Sequence, residues 1–157
     1  MTFKLSKRSL RNLEGVDEDL QCVVHHAISV TKVDFAVICG LRTEAEQREL
    51  VRKGASQTMA SKHLEGKAVD LMAYIKQGGR FRASWELNLY DEIADAMRAG
   101  AEACGVPIRW GCAWHVNDCR ATKGMKMDEV MNDYIDLRRS ERRRPFLDGP
   151  HFEKSSI

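Results

Sequence analysis

Apolar residues recur along the chain at two different spacings, and these spacings predict both helices and short strands. Within residues 17–31 they lie three or four positions apart behind an acidic first turn, which is the pattern of an amphipathic helix. Residues 34–40, DFAVICG, are instead a β-branched and aromatic run that ends in glycine, as a buried strand does. A second strand, predicted over 67–75, begins with Lys67 and is then apolar except for one aspartate, Asp70.

Capping and turn residues mark the starts of two further helices. Thr43 and Glu46 have the spacing of a capping box, which predicts a helix over 44–53. Residues 77–83, QGGRFRA, are typical of a turn. We expect Ser84 to cap the helix that follows this turn.

The rest of the chain predicts a short strand, a helix and a closing strand. The strand covers 107–111, the helix covers 127–140 and stops before Pro145, and FLDGPHFE at 146–153 forms a final strand or hairpin. No internal repeat or low-complexity linker interrupts this order. We therefore expect one compact domain of the α+β class over residues 1–157, with helices around a small sheet.

The composition is that of an ordinary globular protein and excludes few functions. The 157 residues are 43% hydrophobic and 31% charged, with a formal net charge of +2. A charge this close to zero does not call for a nucleic-acid partner. It is unevenly spread, because RRSERRR at 138–144 carries five arginines and one glutamate. Such a run is more often a solvated helix end than an anion-binding patch, so we expect the former.

The cysteines and the N-terminal segment bear on where the protein is made. The five cysteines are odd in number and lack the spacing of a disulfide scaffold, so we expect free thiols and a reducing compartment. The segment MTFKLSKRSLRNLEG has no apolar secretory core, and no stretch approaches the length that spans a bilayer. We expect a soluble chain made in the cytosol, without stable membrane insertion.

Asp70 is the residue that most needs a chemical explanation, because an ionised carboxylate in an apolar strand is costly unless it is paired. His63 lies in the loop before it, and another histidine, His151, follows Asp148 by three residues. Histidine nitrogens and carboxylate oxygens are ligands of catalytic zinc. From the residues alone, two interpretations stay open: a zinc site that includes both histidines and Asp70, or an ordinary buried histidine–aspartate pair.

The remaining histidines and cysteines offer one rival metal site. His25 and His26 lie in the first predicted helix without a carboxylate arranged beside them, so we expect partly exposed helix positions. A structural zinc site is conceivable with Cys104 as a fourth ligand. Its other ligands would be Cys112, His115 and Cys119. Free, partly buried cysteines are the ordinary interpretation of this cluster.

Four segments resemble one known family, in the order in which that family has them. SKHLEGKAVD (61–70) fits the signature S-x-H-x-x-G-x-A-x-D, and DGPHFE (148–153) fits a second signature with a carboxylate three residues before a histidine. GLRTEAEQ (40–47) resembles G-x-R-[ST]-x-x-E-Q, and RWG (109–111) resembles the W-G strand between the two signatures. The chain is thus similar to the M15 zinc peptidases, which include D-alanyl-D-alanine carboxypeptidases and L-alanyl-D-glutamate endopeptidases, and most to single-domain phage endolysins.

The resemblance implies a fold and a role for each matching residue. The fold would be hedgehog/D-Ala-D-Ala peptidase-like, with a small, mainly antiparallel sheet flanked by helices and a Zn²⁺ site on the sheet. Asp148 would be the general base, and Arg42 would bind substrate and polarise the scissile carbonyl. Ser61 would lie near the substrate, and Glu153 would orient a ligand histidine. The implied zinc ligands are His63, Asp70 and His151.

One loop departs from the simplest form of the family, and the segment 117–144 is also long compared with a minimal member. The chain has WGCAW at 110–114 where members often have W-G-G-D-W, so Cys112 and Ala113 are not expected to contact substrate. Of the residues in the upstream segment, Glu46 and Gln47 are expected to be structural.

The resemblance implies a peptidoglycan-degrading zinc endopeptidase that cuts the L-Ala–D-Glu bond of stem peptides and so lyses bacteria. We expect a monomer whose partner is peptidoglycan, made in the host cytoplasm and acting on the cell wall after release. The first alternative is a D-Ala–D-Ala carboxypeptidase of the same family, which an aspartate at position 148 disfavours. An alternative of another class is a non-catalytic, zinc-containing wall-binding module, and the presence of Asp148 argues against it.

Overall fold

The computed structural model describes residues 2–157, and its elements follow the predicted order with one added helix and one added strand. The helices are α1 (Lys7–Asn12), α2 (Glu18–Val30), α3 (Glu44–Arg52), α4 (Leu87–Cys104) and α5 (Met127–Ser140). The strands are β1 (Asp34–Cys39), β2 (Ala68–Gln77), β3 (Arg80–Ser84), β4 (Ile108–Trp110) and β5 (His151–Lys154). Short 3₁₀ turns lie at Lys62–Glu65 and Cys119–Thr122. The capping box predicted for α3 is confirmed, with both of its hydrogen bonds formed.

The segment predicted as a turn after β2 is a β-hairpin, so that prediction was wrong. Strand β2 continues to Gln77, and the chain reverses at Gly78 and Gly79, whose φ angles of 60° and 79° suit glycine. Ser84 belongs to β3 and does not cap the next helix. Helix α4 begins after Glu86, which makes no side-chain capping hydrogen bond.

The strands form one small antiparallel sheet, which confirms the predicted α+β class. The order across the sheet is β1–β2–β5–β4, and β3 pairs with the far end of β2. In this register Asp70 on β2 lies opposite Cys39 on β1 and opposite His151 on β5. Residues remote in the sequence therefore meet at the middle of the sheet.

The hydrophobic core lies between the sheet and the helices α2, α4 and α5. Helices α2 and α4 approach closely at Gly100, where an added Cβ would lie 2.5 Å from the Val23 carbonyl oxygen. On the sheet, Trp110 and Phe152 are fully buried and stack with ring centroids 6.3 Å apart. Within residues 2–157, no helix is both long enough and apolar enough to cross a membrane.

A disulfide joins α2 to α4, so the expectation of five free thiols was wrong. Cys22 and Cys104 lie on the facing sides of these helices, with their Cα atoms 6.2 Å apart, within the range that a disulfide spans. The thiols of Cys39, Cys112 and Cys119 remain free. The sequence could not reveal the pair, because 82 positions separate the two cysteines.

We expect the disulfide to stabilise the fold by restricting the unfolded chain. For a loop of 82 residues, chain entropy alone gives at most about 4.5 kcal/mol in the free energy of unfolding. Urea denaturation with and without a reductant measures this difference, and a Cys22→Ser/Cys104→Ser variant should not respond to the reductant. Five reactive thiols instead of three in the denatured, unreduced protein would contradict the pairing.

Candidate metal centre and active site

Asp70 is flanked by two histidines that approach the same carboxylate oxygen. Its Oδ1 lies 3.3 Å from His63 Nε2 and 3.3 Å from His151 Nδ1. This oxygen is buried and has no partner with hydrogen-bond geometry anywhere in residues 2–157. The two rings lie edge to face, with centroids 5.3 Å apart. The structure thus brings together the three residues for which the sequence predicted a zinc site.

The local fold around His63 fixes which ring nitrogen faces Asp70. The ring Nδ1 lies 2.8 Å from the Gly40 carbonyl oxygen, so Nδ1–H donates and the neutral ring keeps its lone pair on Nε2. The 3₁₀ turn is capped by Ser61, whose hydroxyl accepts from the His63 backbone N–H at 3.2 Å. It ends at Gly66, where φ is 69° and an added Cβ would lie 2.6 Å from a carbonyl oxygen of the N-terminal region. The observed contact of Ser61 is therefore structural, and its role near substrate stays a prediction.

His151 is positioned by a tight turn that also carries Asp148. The His151 N–H donates to the Asp148 carbonyl oxygen at 3.1 Å, which explains the three-residue spacing of these two side chains. Gly111 donates to the His151 carbonyl and accepts from the Asp148 N–H, at 2.8 and 2.9 Å. A Cβ on Gly111 would lie 2.1 Å from the Asp148 carbonyl oxygen, so only glycine fits there.

Glu153 orients the imidazole of His151, in agreement with its predicted role. Its Oε1 accepts from His151 Nε2 at 2.9 Å, which leaves the lone pair of the neutral ring on Nδ1, facing Asp70. Arg109 lies on the other side of Glu153, with 3.9 Å between its Nη1 and Oε2. Arg109 also donates to the Trp114 carbonyl at 2.6 Å and lies over the Trp114 ring. These contacts make a rigid support behind the histidine.

The charges of the centre are strongly coupled. Burial lowers the pKa of His63, but Asp70 and Cys39 outweigh it and raise this pKa to about 10. For His151, burial acts in the same direction, and the carboxylates of Asp70 and Glu153 raise its pKa to about 9. Burial favours the neutral form of Asp70, yet the two histidines hold its pKa well below the ordinary value. In the absence of another cation, protons on the histidines balance the buried carboxylate.

These residues fit a divalent cation on chemical grounds. Nε2 of His63 and Nδ1 of His151 each lie 3.3 Å from the unsatisfied Oδ1 of Asp70, and imidazole nitrogens with a carboxylate oxygen are donors that catalytic zinc takes. Cys39 also belongs to a group that is close enough to hold an ion, since donor atoms of Cys39, His63 and Asp70 all lie within 4.8 Å. Its Sγ, however, lies 3.7 Å from Nδ1 of His63, the nitrogen already bonded to the Gly40 carbonyl. His151 is not part of this group, so Cys39 is the alternative third donor beside His63 and Asp70.

The rival structural zinc site does not form from Cys104, Cys112, His115 and Cys119. Cys104 is bonded to Cys22, and the His115 ring stacks on Tyr134 with centroids 5.5 Å apart. Cys112 and Cys119 are buried thiols, and burial raises the pKa of both to about 12. Within residues 2–157 these side chains do not form a group close enough to hold an ion. The predicted exposure of His25 and His26 is confirmed.

Arg42 lies beside the centre and is held in place from three sides. Its Nη1 donates to Gln47 Oε1 at 2.7 Å, and its Nη2 donates to Cys39 Sγ at 3.3 Å. Nη2 is also 3.7 Å from Asp70 Oδ2. The backbone N–H of Arg42 donates to the His63 carbonyl at 2.9 Å, which joins the two segments. The guanidinium is therefore preorganised next to the candidate ligands.

The expected structural role of Gln47 is confirmed, but sequence reasoning missed its complete burial and the contact of Cys39 with Arg42. Gln47 is completely buried, and its amide nitrogen donates to Ser56 Oγ and to the Thr58 carbonyl, at 2.9 and 2.7 Å. It therefore joins Arg42 to the loop before His63. A glutamine at an otherwise polar helix surface gives no signal of burial, although its place after the capping-box glutamate is a family feature.

Asp148 is half-buried and lies within the electrostatic reach of the centre. Burial raises its pKa above the ordinary value, and the charge of Asp70 acts in the same direction, against His151, His63 and Arg42. Nearby, Cys112 and Ala113 are fully buried, which agrees with the expectation that they do not contact substrate. A carboxylate with a raised pKa beside a cation site is suited to accept and return a proton.

Comparisons with known proteins identify the family. The model of the phage L-alanyl-D-glutamate peptidase family matches residues 1–137. The chain belongs to this family. The match includes Arg42, His63 and Asp70 but ends before the turn that carries Asp148 and His151.

Two full-length relatives extend the family match to the C-terminal turn. The L-alanyl-D-glutamate peptidase of Escherichia phage T5 is 27% identical over 157 residues, with 98% of each chain covered. The crystal structure of the L-Ala D-Glu endopeptidase ChiX of Serratia marcescens has 37% identity and a TM-score of 0.68. That match covers 97% of this chain and 90% of the Serratia chain, so the predicted family resemblance is confirmed over nearly the whole length.

If His63 and His151 are metal ligands, as the sequence predicts, protons and the metal ion compete for them, and zinc affinity should rise with pH. Protein stripped of metal by a chelator should bind Zn²⁺ more tightly by one to two orders of magnitude per pH unit between about pH 6 and about pH 8. Calorimetry in buffers of different ionisation enthalpy would count the released protons. A His25→Gln/His26→Gln variant should behave identically, whereas a pH-independent affinity would contradict the assignment.

Proposed function

We propose that this protein is a peptidoglycan-degrading zinc endopeptidase that hydrolyses the L-Ala–D-Glu bond of stem peptides. Family membership supports a peptidase, and both full-length relatives carry this bond specificity in their names. The convergence of two histidine nitrogens on the unsatisfied oxygen of Asp70 carries the metal part of the proposal. The proposed ligands are His63, Asp70 and His151, and the whole chain, residues 1–157, acts as one domain.

The proposed ligand set explains the fold around Asp70. A zinc ion held there would act as a Lewis acid on the amide carbonyl and lower the pKa of a water molecule towards ~7. The chain contributes the geometry: the Gly40 carbonyl and the Glu153 carboxylate each hold the outer nitrogen of one histidine. The inner nitrogens are thereby fixed in the direction of Asp70.

Asp148 is the proposed general base. It accepts a proton from the attacking water and then returns it to the amine of the departing D-glutamate. Its raised pKa suits both transfers, because a base works best when its pKa approaches the working pH. The turn that joins it to His151 keeps the base and the proposed ligand on one rigid segment.

Arg42 is proposed to stabilise the negative charge that develops on the scissile carbonyl oxygen. Gln47 and Cys39 fix its guanidinium before substrate binds, so little reorganisation is needed during the reaction. Ser61 is proposed to lie near the substrate. This proposal rests on its position at the start of the 3₁₀ turn that carries His63.

The two alternative functions are less well supported. A D-Ala–D-Ala carboxypeptidase would share the chemistry, but the matching family and both relatives are named for the L-Ala–D-Glu bond. A non-catalytic wall-binding module would not need Asp148 and Arg42 beside the metal centre. We further propose that the protein acts as a monomeric endolysin, made in the host cytoplasm and reaching peptidoglycan after release.

Replacing Asp148 by asparagine should remove the base without removing the metal. We expect kcat to fall by about 10²–10⁴-fold while zinc affinity stays within a few-fold of its original value. Mass spectrometry of digested peptidoglycan, with and without a chelator, reports the bond that is cut. New D-Glu amino termini would support the proposal.

The controls for this experiment separate chemistry from folding. Asp136→Asn removes an exposed carboxylate from helix α5 and should leave activity unchanged. His63→Ala should lose both activity and zinc. Release of free D-Ala by the unchanged protein, or full activity of the Asp148→Asn variant, would contradict the proposed function.

A further inference from the structure

We propose that the arginine segment, residues 138–146, binds the carboxylates of the stem peptide on the D-glutamate side of the scissile bond. This inference rests on the proposed function and adds a direction for the substrate across the site. Three observations support it: the unpaired charge of the segment, the path of the chain back to the active site, and the contrast with the opposite side of the active site.

The positive charges of the arginine segment are not neutralised by the protein. Arg139, Arg142, Arg143 and Arg144 are exposed, and none of them forms an ion pair with another side chain of residues 2–157. Arg138 lies over the ring of an aromatic residue, 5.3 Å from its centroid, and also lacks an acidic partner in that part of the chain. Unpaired guanidinium groups at this density produce a positive potential that attracts anions.

After helix α5 the chain turns back and leads to the turn that carries Asp148. Arg142 has a φ of 58°, and the Arg143 N–H donates to the Arg138 carbonyl at 2.8 Å, so the chain reverses in a Schellman-type turn. Further on, the Phe146 N–H donates to the Tyr134 hydroxyl at 3.3 Å. The segment therefore folds back beside its own helix and leads directly into the turn that begins at Asp148.

Two aromatic rings connect the arginine segment to the metal centre. The Phe146 ring stacks on the Trp114 ring, with centroids 6.2 Å apart and planes 11° apart. The Trp114 ring in turn lies 5.5 Å from the imidazole of His151. Phe146 is 64% exposed, although it is a large apolar side chain. A peptide that extends from the scissile bond in this direction would cross the aromatic pair and reach the arginines.

The opposite side of the active site, next to β1, carries apolar side chains instead of unpaired arginines. Across the sheet the order is β1–β2–β5–β4, so the loop after β1 and Trp114 after β4 lie on opposite sides of Asp70 and His151. On the β1 side, a cavity of about 450 Å³ is lined by the apolar residues Leu41, Met59 and Leu64 and by Arg42, Thr43 and Glu44. Its one cation, Arg42, is already held by the active-site residues.

The two sides of the scissile bond in the proposed substrate differ in the same way as the two sides of the active site: one is apolar and the other is charged. On one side of the scissile bond stands alanine, whose side chain is a methyl group. On the other side stands glutamate, which keeps one free carboxylate whichever of its two carboxyl groups is in the chain. Alanine therefore fits towards the apolar cavity, and glutamate with the residues beyond it fits towards the arginine segment. Exposed charge pairs of this kind act mainly on association and are screened by salt.

Charge reversal of three exposed arginines tests the proposal. The variant is Arg139→Glu/Arg143→Glu/Arg144→Glu, which leaves Arg138 on its aromatic ring and Arg142 in its turn. The matched control, Lys76→Glu/Arg80→Glu/Arg82→Glu, makes the same change in net charge on the exposed β2–β3 hairpin. Lys76 lies six residues beyond Asp70 on β2, about 20 Å away.

Two soluble stem peptides serve as substrates, one with free carboxylates on the D-glutamate side and one with these carboxylates amidated. At low salt we expect the arginine variant to raise KM for the free peptide about tenfold with kcat unchanged. The difference should disappear at high salt and with the amidated peptide, and the hairpin control should match the unchanged protein. An equal effect of both triple variants, or an equal effect on both peptides, would overturn the proposal.

Two further outcomes are distinguishable. Failure of the unchanged protein to cleave either peptide would overturn the proposed function, whereas cleavage with an unaltered KM in the arginine variant would overturn only the role of the segment.

Phosphatidylglycerol vesicles provide the second probe. If the arginine variant loses vesicle binding while its peptide kinetics stay unchanged, the segment is a membrane contact and the proposal is wrong.

Discussion

The antiparallel register of strand β2 is the constraint on which the rest of the site depends. It sets Asp70 opposite Cys39 on β1 and opposite His151 on β5, so Asp70 lies between two neighbouring strands at the centre of the sheet. A slip of one residue would turn this carboxylate to the other face of the sheet. The apolar residues that alternate with it, Val69 and Leu71, are fully buried and hold the register. The functional chemistry is therefore secured by the core.

Around this fixed carboxylate, backbone contacts determine which atoms face it. Carbonyl and carboxylate oxygens hold the outer nitrogens of the two histidines, and close approaches at Gly66 and Gly111 leave no room for a Cβ. Arg42 is placed by the same logic, through its backbone N–H to the His63 carbonyl and through the buried amide of Gln47. Each support lies outside the centre itself, which explains why the motifs extend beyond the candidate ligands.

Local signals in the sequence predicted most of the elements, and family motifs predicted the grouping of the site. The capping box of α3 and the apolar spacing of α2 depend only on residues close in the sequence, so the sequence alone predicts both helices. The β2–β3 hairpin was missed because its strand is exposed and its glycines resemble an ordinary loop. The Cys22–Cys104 pair and the burial of Gln47 depend on contacts between distant segments, which no local pattern records.

The proposed chemistry requires that His63, Asp70 and His151 together hold a zinc ion. X-ray absorption at the zinc edge of the metal-loaded protein tests it most directly, because nitrogen and oxygen ligands lie at about 2.0–2.2 Å and sulfur at about 2.3 Å. We expect two imidazole ligands, light-atom scatterers only, and a spectrum unchanged by Cys39→Ser. A zinc–sulfur distance that disappears in this variant would instead assign the metal to the group that contains Cys39 and would rule out the proposed ligand set.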